Sequence, residues 1–257
     1  MSIVIVTQEE PFYIPLMMNR ITNIITDISA IIILPGLPHG FTTFSYFKRL
    51  YDVFGPIDFI KYGMLFAHHS AIDIFSRVLQ LNFLYSVKSI AKRRNIPLFC
   101  VKDINSAESL SLLKRLSPEI IISIASPQIF KRDLIRSAKH TLNIHAALLP
   151  NNRGMMPSFW AMAKGEPETG VTVHYVDENI DTGDIIIQKK IVIEPNETLH
   201  TLQTKVADIG SVALIDAVRI LHEGTIVPIR PRGEGSYFSF PTKEGAKQFR
   251  KRGKRFI

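Results

Sequence analysis

Three polar side chains hold between them the parts of an acyl-transfer site. Asn143 and His145 stand two residues apart at the end of an apolar run, and Asp181 follows the histidine by 36 residues, in a turn between two strand-like segments. An amide N–H and an imidazole can stabilise charge developing on a carbonyl oxygen, while a carboxylate can orient the imidazole and collect a proton. Side chains two apart in a strand share a face. An isolated strand histidine is commonly a satisfied core residue, and Asp-Thr-Gly is ordinary turn chemistry. The shared face of Asn143 and His145, and the irregular loop 148–154 that follows them, favour a site over that plain reading.

These residues need a frame that delivers them to one place. Residues 3–6 and 28–34 are apolar, β-branched runs separated by helical potential over 11–27, a β-α-β pattern. Residues 97–101, 119–124 and 141–145 read as further strands, with helical spacing over 106–116 and 128–138 between them. This alternation predicts an α/β fold with a mainly parallel sheet flanked by helices. In such sheets sites form beyond the carboxyl ends of the strands, where Asn143 and His145 fall. Beyond the loop, 157–164 reads as a helix, 169–176 and 184–193 as an antiparallel pair, and 199–221 as a long amphipathic helix capped near Thr198. Residues 226–229 read as a short strand and 230–239 as loop. The expected organisation is a domain over 1–225, with a helical insertion at about 37–95, and a C-terminal extension over 226–257.

At 257 residues, 46% hydrophobic and 21% charged, the chain can bury a full core. Its net charge of +8 is local: Lys243, Lys247, Arg250, Lys251, Arg252, Lys254 and Arg255 crowd the last 15 residues against Glu244. Such a tail is expected to be a solvated helix or arm, with nucleic acid or an anionic membrane as the minority reading. The one cysteine, Cys100, forms no internal disulfide and suits a reducing, cytoplasmic setting; closing an apolar run, it is expected to be a buried strand residue. The first residues read as a strand, not a signal peptide, and no charge-free window is long enough for a spanning helix. Residues 37–95 are aromatic and predicted helical, broken at Gly55-Pro56 and Gly63. Burial against the sheet is the plain expectation, and a lid, a dimer surface or a membrane-facing patch the sharper one. His68 and His69 lack acidic or cysteine partners at ligand spacing, so no metal is expected.

The region 143–183 resembles the folate-dependent formyltransferases, which include the methionyl-tRNA, glycinamide ribonucleotide and sugar N-formyltransferases. The residues that carry the resemblance are Asn143-Ile144-His145-Ala146-Ala147-Leu148-Leu149-Pro150 with Arg153-Gly154. To these are added Gly170-Val171-Thr172-Val173-His174-Tyr175-Val176-Asp177 and Ile180-Asp181-Thr182-Gly183-Asp184-Ile185-Ile186. The resemblance is clear over about 97–222 and weak over 37–95. It implies a Rossmann-like formyltransferase fold, 10-formyltetrahydrofolate as formyl donor, no metal, and Asn143, His145 and Asp181 as the catalytic set. In the implied mechanism Asn143 and a protonated His145 stabilise the formyl oxygen, while Asp181 holds the imidazolium and takes the amine's proton. The resemblance also implies that the pterin meets backbone groups of Ile122, Ser123, Ile124 and Ala125 on one side and the loop with Val176, Asp177 and Ile180 on the other.

Departures bear on the acceptor. The first strand runs into Thr7-Gln8-Glu9-Glu10-Pro11, without the glycine-rich phosphate loop of the glycinamide ribonucleotide enzymes. Glu9 and Glu10 are expected to be solvated acids at a helix start. Too few residues follow the last core strand for the tRNA-gripping barrel of the methionyl-tRNA enzymes. The expected function is therefore N-formyl transfer to a small amine such as an amino sugar. The alternatives are a methionyl-tRNA formyltransferase-like protein, a formyltetrahydrofolate hydrolase, or a nucleic-acid-binding relative using the tail. No stable nucleic-acid partner is expected, and the aromatic 37–95 segment leaves room for a homodimer. Trp160 and Phe159 are expected in the core, Tyr237, Phe238 and Phe240 are expected to dock the tail, Arg153 stands evenly between a site cation and a turn, and His174 between a supporting residue and a partly buried strand histidine.

Overall fold

β-branched runs set the frame. In the computed structural model, which describes residues 1–38, 40–79, 81 and 85–257, seven strands form one sheet. They are β1 (Ile3–Gln8), β2 (Ile28–Leu34), β3 (Leu98–Cys100), β4 (Ile120–Ile124), β5 (His140–His145), β7 (Glu168–Tyr175) and β8 (Ile185–Val192), in the order β3-β2-β1-β4-β5-β7-β8. The first five are parallel, and β7 and β8 add antiparallel at one edge. A small second sheet pairs β6 (Arg153–Gly154) with β9 (Tyr237–Phe238).

Helices cover both faces. α1 (Ile14–Ile24), α6 (Pro157–Lys164), α7 (Leu199–Glu223) and α8 (Lys243–Lys251) close the larger core with Ile5, Ile31, Ile122, Leu142 and Val173. α4 (Ala107–Leu116) and the single turn α5 (Arg132–Ile135) close the smaller one with Val6, Ile32 and Ile121. α7 opens on a reciprocal capping box, Thr198 with Thr201, and ends at Gly224 in the left-handed region, which settles its orphan N–H and C=O groups. α3 (Val87–Arg93) is capped by Ser86. Among the described residues no helix is long and apolar enough to cross a membrane.

Several expectations are overturned. The helix expected over 128–138 shrinks to α5, because the Gln128 side chain is tied to the Ile104 N–H (2.9 Å) and the Lys102 carbonyl (2.7 Å). Cys100 is exposed, since it ends the edge strand β3. Residues 226–229 form one bridge, Ile229 with Ile185, and no strand; Pro228 supplies no N–H for a ladder. The expected loop 230–239 contains β9. Glu9 and Glu10 are helix caps instead of solvated acids: Glu9 accepts from Val87 N–H (3.1 Å) at the start of α3, and Glu10 from Phe12 (2.8 Å), Tyr13 (2.7 Å) and Ile14 N–H at the start of α1.

The basic tail forms a helix with its cations on the solvent side, as expected, but it is docked by its apolar side and is not a free arm. Phe249 and Phe256 are fully buried, with Phe249 stacked on Phe159 at 5.2 Å between ring centroids. Arg250 donates to the carbonyls of Val53 (2.9 Å) and Phe54 (2.6 Å), Arg252 to Ala163 (2.9 Å), and Lys254 to Glu194 (2.9 Å) and Pro195 (3.0 Å). Arg250 thereby satisfies carbonyls orphaned where α2 (Thr43–Leu79) breaks at Gly55, φ 72. Phe240 is buried and Phe238 stacks on half-buried Trp160 at 4.7 Å, so these two dock the extension as expected, whereas Tyr237 is exposed. The plain reading of 37–95 fails for α2, which leaves a long apolar face in solvent. Residues 39, 80 and 82–84 of that segment lie outside the described residues.

Candidate active site

The strand register builds the site. In β5, Leu142 and Ile144 point into the larger core under α1 and α7, so Asn143 and His145 point to the opposite face. On β4, Ser123 pairs with Asn143; on β7, His174 pairs with Asn143 and Thr172 with His145. The alternation therefore gathers Ser123, Asn143, His145, Thr172 and His174 into a polar strip on one face of three adjacent strands. The reverse face of the same strands is Ile122, Ile124, Leu142, Val171 and Val173, all buried.

The carboxylate arrives from outside the sheet. After β7 the chain loops through 176–183 and returns Asp181 to the strip with φ 54, in the left-handed region that a short polar side chain tolerates. Gly183 makes the return tight: a Cβ there would lie 1.8 Å from the Tyr175 carbonyl oxygen. Asp177 buttresses the loop by accepting from Asn179 N–H (3.0 Å) and Thr182 Oγ1 (2.7 Å).

Asp181 Oδ2 accepts the Gly154 N–H at 2.8 Å and lies 3.5 Å from His145 Nδ1; Oδ1 lies 3.4 Å from Asn143 Nδ2 and 3.6 Å from His174 Nε2. Gly154, at φ 93, can be nothing larger, because a Cβ would stand 2.3 Å from the Phe238 carbonyl oxygen. His145 Nε2 faces the Asn152 carbonyl at 2.9 Å, which places its proton on Nε2. The Asn152 side chain is itself held, donating to Glu166 Oε2 at 2.8 Å and accepting from Lys164 at 3.4 Å. His174 Nδ1 donates to the Tyr175 carbonyl at 2.7 Å, leaving Nε2 to accept from Asn143 Nδ2 at 3.2 Å.

Electrostatics then assign protons. Burial is the largest influence on His145 and lowers its pKa below the ordinary 6.5, against the Asp181 charge and the Asn152 carbonyl, which raise it. The resting imidazole is thus neutral near pH 7. Burial would raise the Asp181 carboxyl, but His145, His174 and the Gly154 N–H together hold it below the ordinary 3.8. A neutral imidazole beside an ionised carboxylate is a pair ready to receive a proton.

The three predicted catalytic residues thus converge. His174, left even by sequence reasoning, joins them; its place two residues beyond Thr172, in register with Asn143, was the available signal. The Gly154 N–H and the Asn152 carbonyl were not foreseen, since backbone groups leave no mark in sequence. Of the residues expected around the pterin, Ile122 and Ile124 bury their side chains on the apolar face, leaving only backbone to offer. Ser123 lies on the polar strip, and Ala125 turns the chain out of β4 at φ 49. Val176 is tied to the Thr141 carbonyl by its N–H (2.8 Å), and Asp177 and Ile180 lie in the Asp181 loop, Ile180 exposed. Arg153 pairs with Tyr237, and its buried Nε has no hydrogen-bond partner among the described residues. His69 is occupied by the Pro11 carbonyl (2.8 Å) and stacks on Tyr85.

The family model described as formyl transferase matches residues 85–218. The methionyl-tRNA formyltransferase of Anaeromyxobacter sp. (strain K) is 37% identical over 146 residues, covering 56% of this chain and 47% of that protein. The chain thus spans about half the length of the curated relatives it matches. Among solved structures, a sugar N-formyltransferase from a Shewanella species superimposes with a TM-score of 0.60 at 16% identity, over 93% of this chain and 77% of that one. The formyltransferase PseJ from Anoxybacillus kamchatkensis, in complex with UDP-4,6-dideoxy-4-formamido-L-AltNAc and tetrahydrofolate, gives 0.50 at 27% identity, over 58% and 77%.

Proposed function

The chain belongs to the formyl transferase family, and from that premise we propose that it moves a formyl group from 10-formyltetrahydrofolate to the amine of a small acceptor, an amino sugar in the first instance. The observation that carries this reading is the meeting of Asn143, His145 and Asp181 on one polar strip, with Asp181 ionised and His145 neutral. The donor is a substrate, and bound it supplies an activated formyl carbonyl. The backbone of 122–125 and the loop bearing Val176, Asp177 and Ile180 would hold its heterocycle.

The chain's own residues do the rest. Asn143 turns an amide N–H toward the formyl oxygen, where negative charge grows as the amine adds to the carbonyl carbon. Asp181 and the Nδ1 lone pair of His145 take the proton shed by that amine. The imidazolium so formed is held by the Asp181 carboxylate and stabilises the oxyanion beside it. The same proton is then returned to the leaving nitrogen of the donor as its bond to the formyl carbon breaks, which restores the neutral imidazole. Arg153, with its unpartnered Nε, is our candidate for gripping an anionic group on the acceptor, such as the diphosphate of a nucleotide sugar.

A methionyl-tRNA acceptor is the second reading, favoured by the 37% identity to such an enzyme. The deciding experiment incubates the protein with 10-formyltetrahydrofolate and, separately, nucleotide-linked amino sugars, methionyl-tRNA or no acceptor. Formylated sugar supports the leading reading. Formyl-methionyl-tRNA replaces it with the second, and formate released without acceptor replaces both with hydrolysis.

A further inference from the structure

The break at Gly55-Pro56 divides α2 into two limbs, and the second, residues 56–79, has two different faces. Tyr62, His69, Asp73 and Ser76 turn toward the body. Ile57, Ile60, Met64, Ala67, Ala71, Ile74 and Val78 turn to solvent, with Ile57 69%, Met64 61% and Val78 74% exposed. These positions advance by alternating steps of three and four, an unbroken a/d heptad. That is the a/d spacing of paired helices, and the exposed Phe75 and Leu79 extend the apolar face to one side of it. The charges beside the seam speak against an anionic surface. Lys61 is paired with Asp58 (3.8 Å) and Arg77 with Asp73 (3.3 Å), so the limb carries no net charge apart from its histidines.

We propose that two copies of this chain pair through this seam, α2 against α2, antiparallel across a two-fold axis. The register opposes Met64 to the partner's Ala67, Ile60 to the partner's Ala71 and Ile57 to the partner's Ile74. In two of these three layers a long side chain meets an alanine, the large-against-small arrangement that fills a helix seam without voids. A shift by one heptad would set Ala67 against Ala71, leaving a void, and Lys61 beside Arg77, two cations together. In the proposed register Lys61 faces the partner's Ser70. A self-complementary patch of this kind is what a two-fold interface requires.

The test uses the full chain. Sedimentation at micromolar concentration is expected to give a dimer, and Ala71→Glu, an exposed position, a monomer with an unchanged circular dichroism spectrum. In a Cys100→Ser background, Ile60→Cys/Ala71→Cys is expected to oxidise to a covalent dimer. The two positions lie about 16 Å apart along one helix, too far for a bond within a chain. Ile60→Cys/Val78→Cys, which matches the shifted register, is expected to stay uncrosslinked. A monomeric wild type, a dimer untouched by Ala71→Glu, or crosslinking only in the shifted pair overturns the proposal. So does a monomer that co-sediments with phosphatidylglycerol vesicles and loses this in Ala71→Glu, which would assign the seam to a membrane surface.

Discussion

Gly154 and Asp181 are joined by a backbone hydrogen bond of 2.8 Å, made by a glycine that no other residue can replace. The same Asp181 oxygen lies 3.5 Å from His145 Nδ1, so the carboxylate is aimed by the main chain before any ligand arrives. Asp181→Asn keeps the shape and one oxygen for the Gly154 N–H but removes the charge. The expected result is a loss of about a hundred- to ten-thousand-fold in kcat, with donor affinity retained. Single-turnover formyl transfer beside a folate titration checks both halves.

The proton assignments predict an acid limb. His145 accepts a proton only while neutral, and burial lowers its pKa below 6.5. kcat/KM should therefore hold at neutral pH and fall on acidification with a midpoint below 6.5. Stability moves in the same direction. Below 6.5 the unfolded chain binds a proton that the folded one refuses, so acidification favours unfolding until the lowered folded value is passed. Asp181 adds a second loss at lower pH, because its contribution is complete above 3.8 and disappears as pH falls through its depressed value. Urea titrations from neutral to acid pH check this, and His145→Gln should flatten the upper part of the curve.

The Asp181 loop predicts a steric variant far smaller than its effect. Gly183→Ala places a Cβ 1.8 Å from the Tyr175 carbonyl oxygen, a backbone atom that cannot rotate away. The loop must open, carrying Asp181 from Asn143 and His145. Transfer should fall at least as far as in Asp181→Asn, while the melting temperature drops by only a few degrees, since the loop meets the cores only through Val176 at its start. Unchanged transfer would show that the Asp181 position is not set by this turn.

Local pattern in the sequence revealed the sheet, and with the family resemblance it pointed to the three residues that converge at the candidate site; long-range pairing explains what it concealed. Runs such as Ile120–Ile124 and Ile28–Leu34 announce buried parallel strands, and the two-residue spacing of Asn143 and His145 states their common face. Nothing within a few residues of Glu10 says that its carboxylate folds forward onto three N–H groups. Phe249 and Phe256 sit among seven cations, so the tail reads as solvated until Phe159, about 90 residues away, supplies the third ring. Cys100 lies in an apolar run yet on an edge strand, and strand order is a property of the whole sheet.

The tail's arginines yield a stability prediction that separates structure from charge. Arg250 donates to the Val53 and Phe54 carbonyls at the α2 break and packs over the Phe256 ring at 5.1 Å. Arg250→Ala should destabilise the fold by about 1.5–3 kcal/mol, the range for hydrogen bonds from a charged donor to groups then left unpaired. Lys247→Ala and Lys251→Ala, which remove the same charge from exposed positions, should lie within about 0.5 kcal/mol of wild type. Equal effects from all three would mean that net charge, not the cap, holds the extension down.

Asn152 links the site to the protein beneath it. Its carbonyl fixes the His145 proton on Nε2, and its side chain is clamped between Glu166 at 2.8 Å and Lys164 at 3.4 Å while its backbone sits at φ 56. Asn152→Ala keeps the carbonyl but loses the clamp and the side chain that makes a left-handed backbone tolerable. The imidazole is then free to rotate and admits water, which relieves the burial that lowers its pKa. The expected outcome is a fall in kcat of about tenfold with KM little changed, by analogy with the loss of other outer-shell orienting groups. The acid limb should also move toward 6.5. Glu166→Gln in the otherwise unchanged chain, which can still accept from the Asn152 amide, should keep most of the rate and the original limb. A drop in rate with the limb unmoved would show that Asn152 supports the fold without setting the state of His145.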